Sequence, residues 1–355
     1  MKKMKHLLYL TLGLFVFVAC NDDDDPKPSG LYSNGAFILH EGNFQKSNAS
    51  VGFLSFATDS FTEDIFSITN SRPLGDVLQS MTIYKDKGYL VLNNSNKIEV
   101  VTISDFKQAG VVDGLSSPRY VAFYQNGGYV TQWGADGVHG TLAIFDIATL
   151  RVDTTIAIGS GPEGIVVINN KIWIANGGGW GIDSTVVVFD PSTLKVEKSI
   201  VVGYNPKHFT IDQQGNLWVL CSGNADWMDS QNDKPSSLVK IDVNTYSILK
   251  SVTIGKNAHP DKIASNRDKN IIYYGAGYGF NGIWKMSIDA TGVENSPLIE
   301  GYFYGFSVNS ANDEIYTFDA KDFASKGEMT RYSANGTKIK SYAVGIIPNA
   351  AVFNN

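Results

Sequence analysis

The chain has 355 residues, 43 % of them hydrophobic, and a formal net charge of −6 at pH 7, which provides enough apolar material for one large domain or two average ones. An acidic chain without basic runs is a poor binder of nucleic acid, so we exclude that class of partner. Beyond the N-terminal segment, no apolar run approaches the roughly 20 residues that a membrane-spanning helix requires.

The first 19 residues have the pattern of a secretory signal peptide. Lys2, Lys3 and Lys5 precede the apolar run LLYLTLGLFVFVA, which ends in a small residue directly before Cys20. A cysteine at this position resembles the lipidation site of bacterial lipoproteins, so we predict that residues 1–19 are removed and that Cys20 is lipidated. Cleavage removes three lysines and no acidic residue, which changes the net charge from −6 to −9. An ordinary signal peptide followed by an incidental cysteine is the alternative.

Residues 20–33 are predicted to form a flexible tether. The stretch NDDDDPKPSG contains four consecutive aspartates followed by proline and glycine, and such a segment stays solvated. An acidic run directly after the lipidated cysteine also resembles the export signal of surface lipoproteins in Gram-negative gut bacteria. That resemblance implies an outer-membrane location, lipid-anchored and facing the cell exterior. With Cys20 lipidated, the other cysteine, Cys221, has no partner for a disulfide. A metal site built from several cysteines is excluded for the same reason.

From residue 34 onward the chain repeats one unit seven times. In each unit a tight turn precedes a strand with an aromatic residue at a fixed place, as in KIWIANGG and NLWVLCSG. These aromatic residues recur at separations of 40 to 55 residues: Phe37, Tyr89, Tyr129, Trp173, Trp218, Tyr273 and Tyr316. One short strand precedes each aromatic strand and two more follow it. The pattern predicts an all-β fold, a seven-bladed β-propeller with four antiparallel strands per blade, over residues 34–355.

The two ends of the repeat complement each other. The first unit begins at its second strand, GAFILHEG, and the chain ends with the lone strand AVFNN. We therefore expect the C-terminal strand to complete the first blade and close the ring, which removes exposed sheet edges. The repeated aromatic residues are expected to fill the space between neighbouring sheets.

One face of the ring is predicted to carry long, variable loops, because the loop between the second and third strands lies on the same face as the link to the next blade. Six of these seven loops contain an aromatic residue, and the loop of the second blade contains none. The residues are Phe44, Trp133, Trp180, Trp227, Tyr278 with Phe280, and Phe323. An exposed apolar patch with polar surroundings is typical of a binding site, so we predict an aromatic collar around one mouth. The alternative is that each aromatic side chain folds back onto its own blade.

Proline recurs just before the innermost strand of five blades, where it fixes a turn. The residues after these prolines are expected to point towards the mouth of the central channel: Arg119, Glu163, Lys207, Asp261 and Asn349. This ring of mixed charges and amides suits a large, neutral ligand rich in hydrogen-bonding groups. A phosphate polymer would require an excess of Lys and Arg.

The sequence contains none of the common catalytic motifs, such as HExxH, GxSxG or a phosphate-cradling loop. We therefore predict no enzymatic activity, no cofactor and no resident metal. His208 and His259 flank the proline-linked turns, and a metal or acid–base cluster of these two with Glu163 and Asp261 is the weaker alternative.

The stretch GPEGIVVINNKIWIANGG followed by STVVVFDPSTLKVEKSIVVGYNP resembles the YncE-like, YVTN-type seven-bladed propellers, and the resemblance covers nearly all of the chain after residue 30. Combined with FVACNDDDD, it is similar to the surface lipoproteins of the BtuG family. That resemblance implies a non-enzymatic protein that binds cobalamin or other corrinoids and passes them to a TonB-dependent outer-membrane transporter of the BtuB type.

Under this interpretation the collar covers the apolar faces of the corrin ring and the polar residues hydrogen-bond its amides. Arg119 or Lys207 is expected to bind the single phosphate, and His208 to replace the outer axial ligand of cobalt. Two other functions stay open. One is a glycan- or protein-binding adhesin, because aromatic collars also stack on sugars, and the other is a metal-dependent, lactonase-like hydrolase.

Overall fold

A computed structural model describes residues 30–355, so the predicted signal peptide, Cys20 and most of the tether lie outside the described residues. The described chain forms seven four-stranded antiparallel sheets arranged as the blades of a propeller. This arrangement confirms the predicted fold class.

The strands follow one another in chain order, each blade running from an innermost strand at the central channel to an outermost strand at the rim. The first fourteen are β1 (Gly35–His40), β2 (Ser50–Ser55), β3 (Ser60–Thr62), β4 (Leu78–Tyr84), β5 (Lys87–Leu92), β6 (Lys97–Thr102), β7 (Gln108–Val112), β8 (Pro118–Tyr124), β9 (Gly127–Gln132), β10 (His139–Asp146), β11 (Val152–Ser160), β12 (Pro162–Ile168), β13 (Lys171–Asn176) and β14 (Thr185–Asp190). The others are β15 (Lys195–Val201), β16 (Pro206–Ile211), β17 (Leu217–Cys221), β18 (Ser236–Ile241), β19 (Ile248–Gly255), β20 (Lys262–Ser265), β21 (Ile271–Gly275), β22 (Asn281–Ser287), β23 (Ile299–Tyr302), β24 (Gly305–Asn309), β25 (Glu314–Asp319), β26 (Lys326–Tyr332), β27 (Lys338–Ile346) and β28 (Pro348–Asn354).

Two short helical elements interrupt the strands of residues 30–355. Helix α1 (Ile65–Asn70) lies between β3 and β4, and a 3-10 turn (Ser230–Asn232) lies in the loop between β17 and β18. None of the helices in the described region has the length and apolar character needed to cross a membrane.

The ring closes between the two ends of the chain, as predicted. Blade 1 consists of β28, β1, β2 and β3, and each later blade takes the next four strands. β28 pairs antiparallel with β1, with Gly35 opposite Asn354. Asp59 of blade 1 also accepts hydrogen bonds from Arg331 (2.9 Å) and Lys340 of blade 7. Closure therefore combines a backbone ladder with an ion-pair network at the rim.

The core lies between neighbouring blades. Each second strand is packed on both faces, so its sequence is a continuous apolar run and not an alternating one. All seven repeated aromatic residues are buried, with exposed fractions of 0 to 6 %, which confirms the prediction for them. The outermost strands, such as β15, expose most of their residues.

A left-handed backbone turn precedes the innermost strand in five blades. The residues in this conformation are Val77, Ser117, Gly161, Asn205 and Ile347, with φ between 48° and 56°. A β-branched residue rarely adopts this conformation, and such strain concentrates at functional sites. The turns of blades 2, 3, 4, 5 and 1 thus place the first residues of their inner strands at one mouth of the channel.

Candidate functional site

The long loops and the links before the innermost strands meet at one mouth of the ring, as predicted. They enclose a cavity of about 580 Å³, which we call the cup. Loops of blades 3 to 6 supply its walls, and the first residues of the inner strands supply its floor. The volume is within the range of small-molecule sites.

The walls of the cup are two pairs of aromatic rings. Trp133 and Trp180 meet edge to face with ring centroids 5.4 Å apart, and Trp227 and Tyr278 meet in the same way at 5.7 Å. Trp180 is 79 % exposed and Trp227 77 %. The predicted collar is therefore two separate walls, one on blades 3 and 4 and the other on blades 5 and 6.

The glycine-rich sequence before Trp180 is explained by close packing of two loops. Trp180 donates its backbone N–H to the carbonyl of Gly137 (3.1 Å) and lies over that glycine, where a Cβ would come within 2.1 Å of the indole. A Cβ on Gly179 would come within 1.9 Å of the same carbonyl. The two glycines therefore allow the blade 4 loop to cross closely over the blade 3 loop. This crossing leaves the indole of Trp180 exposed to solvent.

The other predicted aromatic residues lie elsewhere. Phe44 is 64 % exposed on the blade 1 loop but does not line the cup, and Phe323 lines an adjoining cleft with its ring 6.3 Å from that of Tyr278. Phe280 is only 7 % exposed and packs in the core with Trp218. The expectation that Phe280 belongs to the collar is wrong, because the chain turns back after the left-handed Gly279 and directs the ring inward.

One half of the floor is an ion-paired cluster. Arg119 donates from Nε and Nη2 to the two carboxylate oxygens of Glu163 (3.0 and 3.1 Å), and Lys207 lies 3.4 Å from the same carboxylate. Burial alone would raise the pKa of Glu163, but the charges of Arg119 and Lys207 outweigh it and hold the pKa below its usual value. Glu163 is 1 % exposed and lies beneath the two cations. The prediction that Glu163 faces the mouth is therefore corrected: it supports the residues that do.

Arg119 also connects the floor to a wall. Its guanidinium carbon lies 4.3 Å from the centroid of the Trp133 ring, within cation–π range, and Nη1 donates to Oε1 of Gln79. Arg119 therefore fixes the orientation of Trp133 and leaves Lys207 as the less engaged cation of this half.

The other half of the floor contains Asp261, Lys262 and the buried carboxyl of Glu41. Burial would raise the pKa of Asp261, but the charges of Lys262 and Lys207 hold it well below its usual value. Burial raises the pKa of Glu41, and the hydrogen bonds from Asn349 (2.9 Å) and Tyr304 (3.0 Å) offset only part of that shift. The floor thus carries three cations, two ionised carboxylates and one carboxyl of raised pKa, and is close to neutral.

His208 lies below the floor. Its Nε2 is 3.3 Å from both the hydroxyl of Tyr120 and Nζ of Lys262, and Gln79 donates to the same hydroxyl (3.2 Å). We call these four side chains the throat. The imidazole lines the central channel and not the cup, so the expectation that it faces a ligand in the cup is corrected. Burial lowers the pKa of His208 to about 3.

Register shifts at the start of the inner strands explain this position. β16 shifts its pairing with β17 between Pro206 and His208, and β8 shifts similarly after Pro118. Such bulges change the direction of side chains. Lys207 therefore lines the cup, whereas its neighbour His208 lines the channel.

The proposed cluster of histidines and acids is not assembled. Among residues 30–355, no group of three or more His, Cys, Asp and Glu side chains has an arrangement that would hold a metal ion. His259 instead contacts the carbonyl of Ser222 (2.8 Å) and the carboxylate of Asp233 (3.0 Å), which fastens the Trp227 loop to the neighbouring link. Cys221 is buried and forms no disulfide within residues 30–355, and burial raises its pKa to about 12.

Several residues of the cup were not predicted from the sequence. Glu41, Gln79, Lys262 and Tyr304 line it, in addition to Asn205. Gln79 holds the position that follows proline in other blades, but blade 2 has leucine where they have proline, so the proline signal missed it.

Solved structures share the fold at low sequence identity. A quinonprotein alcohol dehydrogenase-like protein from Bacteroides thetaiotaomicron is 16 % identical, with a TM-score of 0.67 over 91 % of this chain and 79 % of its own. A functionally unknown protein from Desulfotomaculum acetoxidans is 13 % identical (TM-score 0.66, 90 % and 98 %). Hydrazine synthase from Kuenenia stuttgartiensis is 14 % identical (TM-score 0.59, 77 % and 88 %). These likenesses support the propeller alone.

Family membership comes from the sequence of the propeller itself. No curated protein matches the chain. Residues 34–354 match the family model described as "Domain of unknown function (DUF5074)". Because the match spans the whole propeller, the chain belongs to the DUF5074 family.

Proposed function

We propose that this protein captures a corrinoid such as cobalamin in the cup, without catalysis, and passes it to a TonB-dependent outer-membrane transporter of the BtuB type. The observation that carries the proposal is the pairing of two exposed aromatic walls with a nearly neutral, hydrogen-bonding floor. The sequence pattern around Cys20 supports a lipid anchor on the outer face of the membrane.

The aromatic walls suit the apolar faces of a broad macrocycle. Trp180 and Trp227 expose more than three quarters of their surface, and large aromatic side chains dominate the energetics of binding sites. Since the walls stand on different blades, one ligand that touches both must be broad. A corrin ring has that breadth, and amide groups around its edge that reach the floor.

The floor suits the polar groups of the same ligand. Within the described part of the chain, Lys207 has a single long polar contact, to Glu163 at 3.4 Å, so we propose that it binds the ligand's phosphate. Asp261 accepts from amide N–H groups, and Asn205 both donates and accepts. Arg119 is engaged by Glu163 and Gln79 and acts by orienting Trp133.

The cup is held in place before the ligand arrives. Asn205 donates to the side chain of Asn224 (3.2 Å) and accepts from the backbone of Asp183 (3.2 Å). His259 fastens the Trp227 loop. Preformed contacts of this kind lower the entropic cost of binding.

The test is co-elution of cyanocobalamin with the purified protein on a desalting column. We expect the red colour to elute with the wild type and to be lost from a Trp180→Ala/Trp227→Ala double variant. Colourless wild-type protein that binds immobilised glycans would favour the adhesin. Lactone hydrolysis abolished by a chelator would favour the hydrolase.

A further inference from the structure

A second cavity lies in the central channel, on the far side of the throat from the cup. Its volume is about 340 Å³, also within the range of small-molecule sites. The inner strands supply mostly apolar side chains to its walls: Met81, Ile165, Phe209, Ile263, Phe306 and Val352. Nothing in the proposed function uses this cavity.

The polar end of this cavity carries one positive charge. Among the described residues that line it, Lys262 is the only ionised one, because burial keeps the neighbouring His208 neutral at pH 7. The carboxylates of Asp261 and Glu163 do not line the channel. A ligand in the channel therefore meets a cation at one end and hydrocarbon along the walls.

Among the described residues, hydrogen bonding in the throat leaves one donor of Lys262 and Tyr120 without an acceptor. Lys262 has three N–H donors and Tyr120 one O–H, while the neutral imidazole of His208 offers a single lone pair. Both donors approach Nε2 of His208 at 3.3 Å, so only one of them makes that bond. Asp261 accepts one donor of Lys262 at 3.4 Å, and the Tyr120 oxygen accepts from Gln79 at 3.2 Å and from a second donor of Lys262 at 3.4 Å.

The lengths of these contacts support the same conclusion. The throat distances are 3.2 to 3.4 Å, whereas good hydrogen bonds in proteins cluster near 2.8 to 3.0 Å. The donors of Lys262 and Tyr120 are thus only weakly satisfied by the protein. An acceptor carrying negative charge complements them best.

We propose that the channel is a second binding site, specific for a small monocarboxylate with a short aliphatic chain. The carboxylate accepts from Nζ of Lys262 and the hydroxyl of Tyr120, and the chain lies against Ile165, Phe209 and Phe306. The site lies on the opposite side of the throat from the cup and shares Lys262 with the cup floor, but it does not depend on the ligand proposed there.

The experiment is a calorimetric titration of the purified protein with butyrate, butyramide and butylamine, which share one chain length and differ in the head group. We expect butyrate to bind, butyramide to bind roughly tenfold more weakly because it lacks the charge, and butylamine not to bind. Lys262→Met is expected to abolish butyrate binding, and Tyr120→Phe to weaken it roughly tenfold. Lys207→Met, which removes a cation of the cup only, is the matched control and should bind butyrate as the wild type does.

The proposal fails if the wild type does not bind butyrate, or if it binds butylamine or butyramide equally well. It also fails if folded Lys262→Met protein retains wild-type affinity. If that variant does not fold, the relative affinities of butyrate, butyramide and butylamine for the wild type still test the proposal. Cyanocobalamin binding by the same preparation reports on the cup independently, so failure at one site is distinguishable from failure at the other.

Discussion

The tryptophans of the blade cores and the tryptophans of the cup contrast sharply. Trp173 and Trp218 are 1 % and 0 % exposed, whereas Trp180 and Trp227, on the loops that follow the same strands, are 79 % and 77 % exposed. Burial of the first pair between sheets stabilises the fold. The second pair leaves apolar surface exposed at the mouth, where we propose that the ligand binds, so burial and exposure divide along the length of the same strands.

The largest effect on stability is expected for Trp218→Ala. The substitution removes a fully buried indole, and Nε1 of that indole donates to Oδ2 of Asp212 (3.0 Å). We expect the free energy of unfolding to fall by about 3–5 kcal/mol, measured by urea denaturation. A loss below about 1 kcal/mol would contradict the assignment of this ring to the core.

A pair of variants in one loop sharpens the comparison. Phe280→Ala is expected to cost about 3 kcal/mol because its ring packs between blades, whereas Tyr278→Ala, 70 % exposed, should change stability by about 0.5 kcal/mol or less. Both are measured by urea denaturation. Equal losses in the two variants would mean that the two rings do not divide between core and cup.

The core pair Asp212–Lys240 gives a pH-dependent test. Burial would raise the pKa of Asp212, but hydrogen bonds from Lys240, Asn216 and Trp218 outweigh it and lower the pKa. The stabilisation is therefore complete above the unfolded pKa of about 4 and is lost as the pH falls through the lower, folded value. We expect Asp212→Asn to cost about 2 kcal/mol at pH 7.

The measurement is urea denaturation across the acid range. The difference between wild type and Asp212→Asn should shrink as the pH drops below about 4. A difference that stays constant with pH would show that the carboxylate charge does not contribute.

The smallest effect on stability is expected for Trp180→Ala. Its indole is exposed and contacts the Trp133 ring only at an edge, so the unfolding free energy should change by about 0.5 kcal/mol or less. Differential scanning calorimetry measures it. A substantial drop in melting temperature would show that this wall holds the blades together.

The regular parts of this molecule were predictable from the sequence. Burial between two sheets imposes the same aromatic strand on every blade, so the repeat gave the number of blades, and the incomplete first unit gave the closure by β28. The proline turns identified Arg119, Lys207, Asp261 and Asn349, which do line the cup.

Features that depend on contacts between blades were not predictable. The inward turn of Phe280 follows from packing against blade 5, and the position of His208 below the floor follows from a strand bulge. The division of the collar into two walls depends on how neighbouring loops cross, as at Gly137 and Trp180. Local sequence patterns carry no signal for such long-range contacts.

The most direct test of the cup is a calorimetric titration of cyanocobalamin into the wild type and the Trp180→Ala/Trp227→Ala double variant. We expect one ligand to bind per wild-type chain. The double variant should bind at least about tenfold more weakly at an unchanged melting temperature, because exposed aromatic anchors contribute to binding and little to folding. Wild-type protein that does not bind cyanocobalamin, or a double variant that binds it with wild-type affinity, would contradict the account.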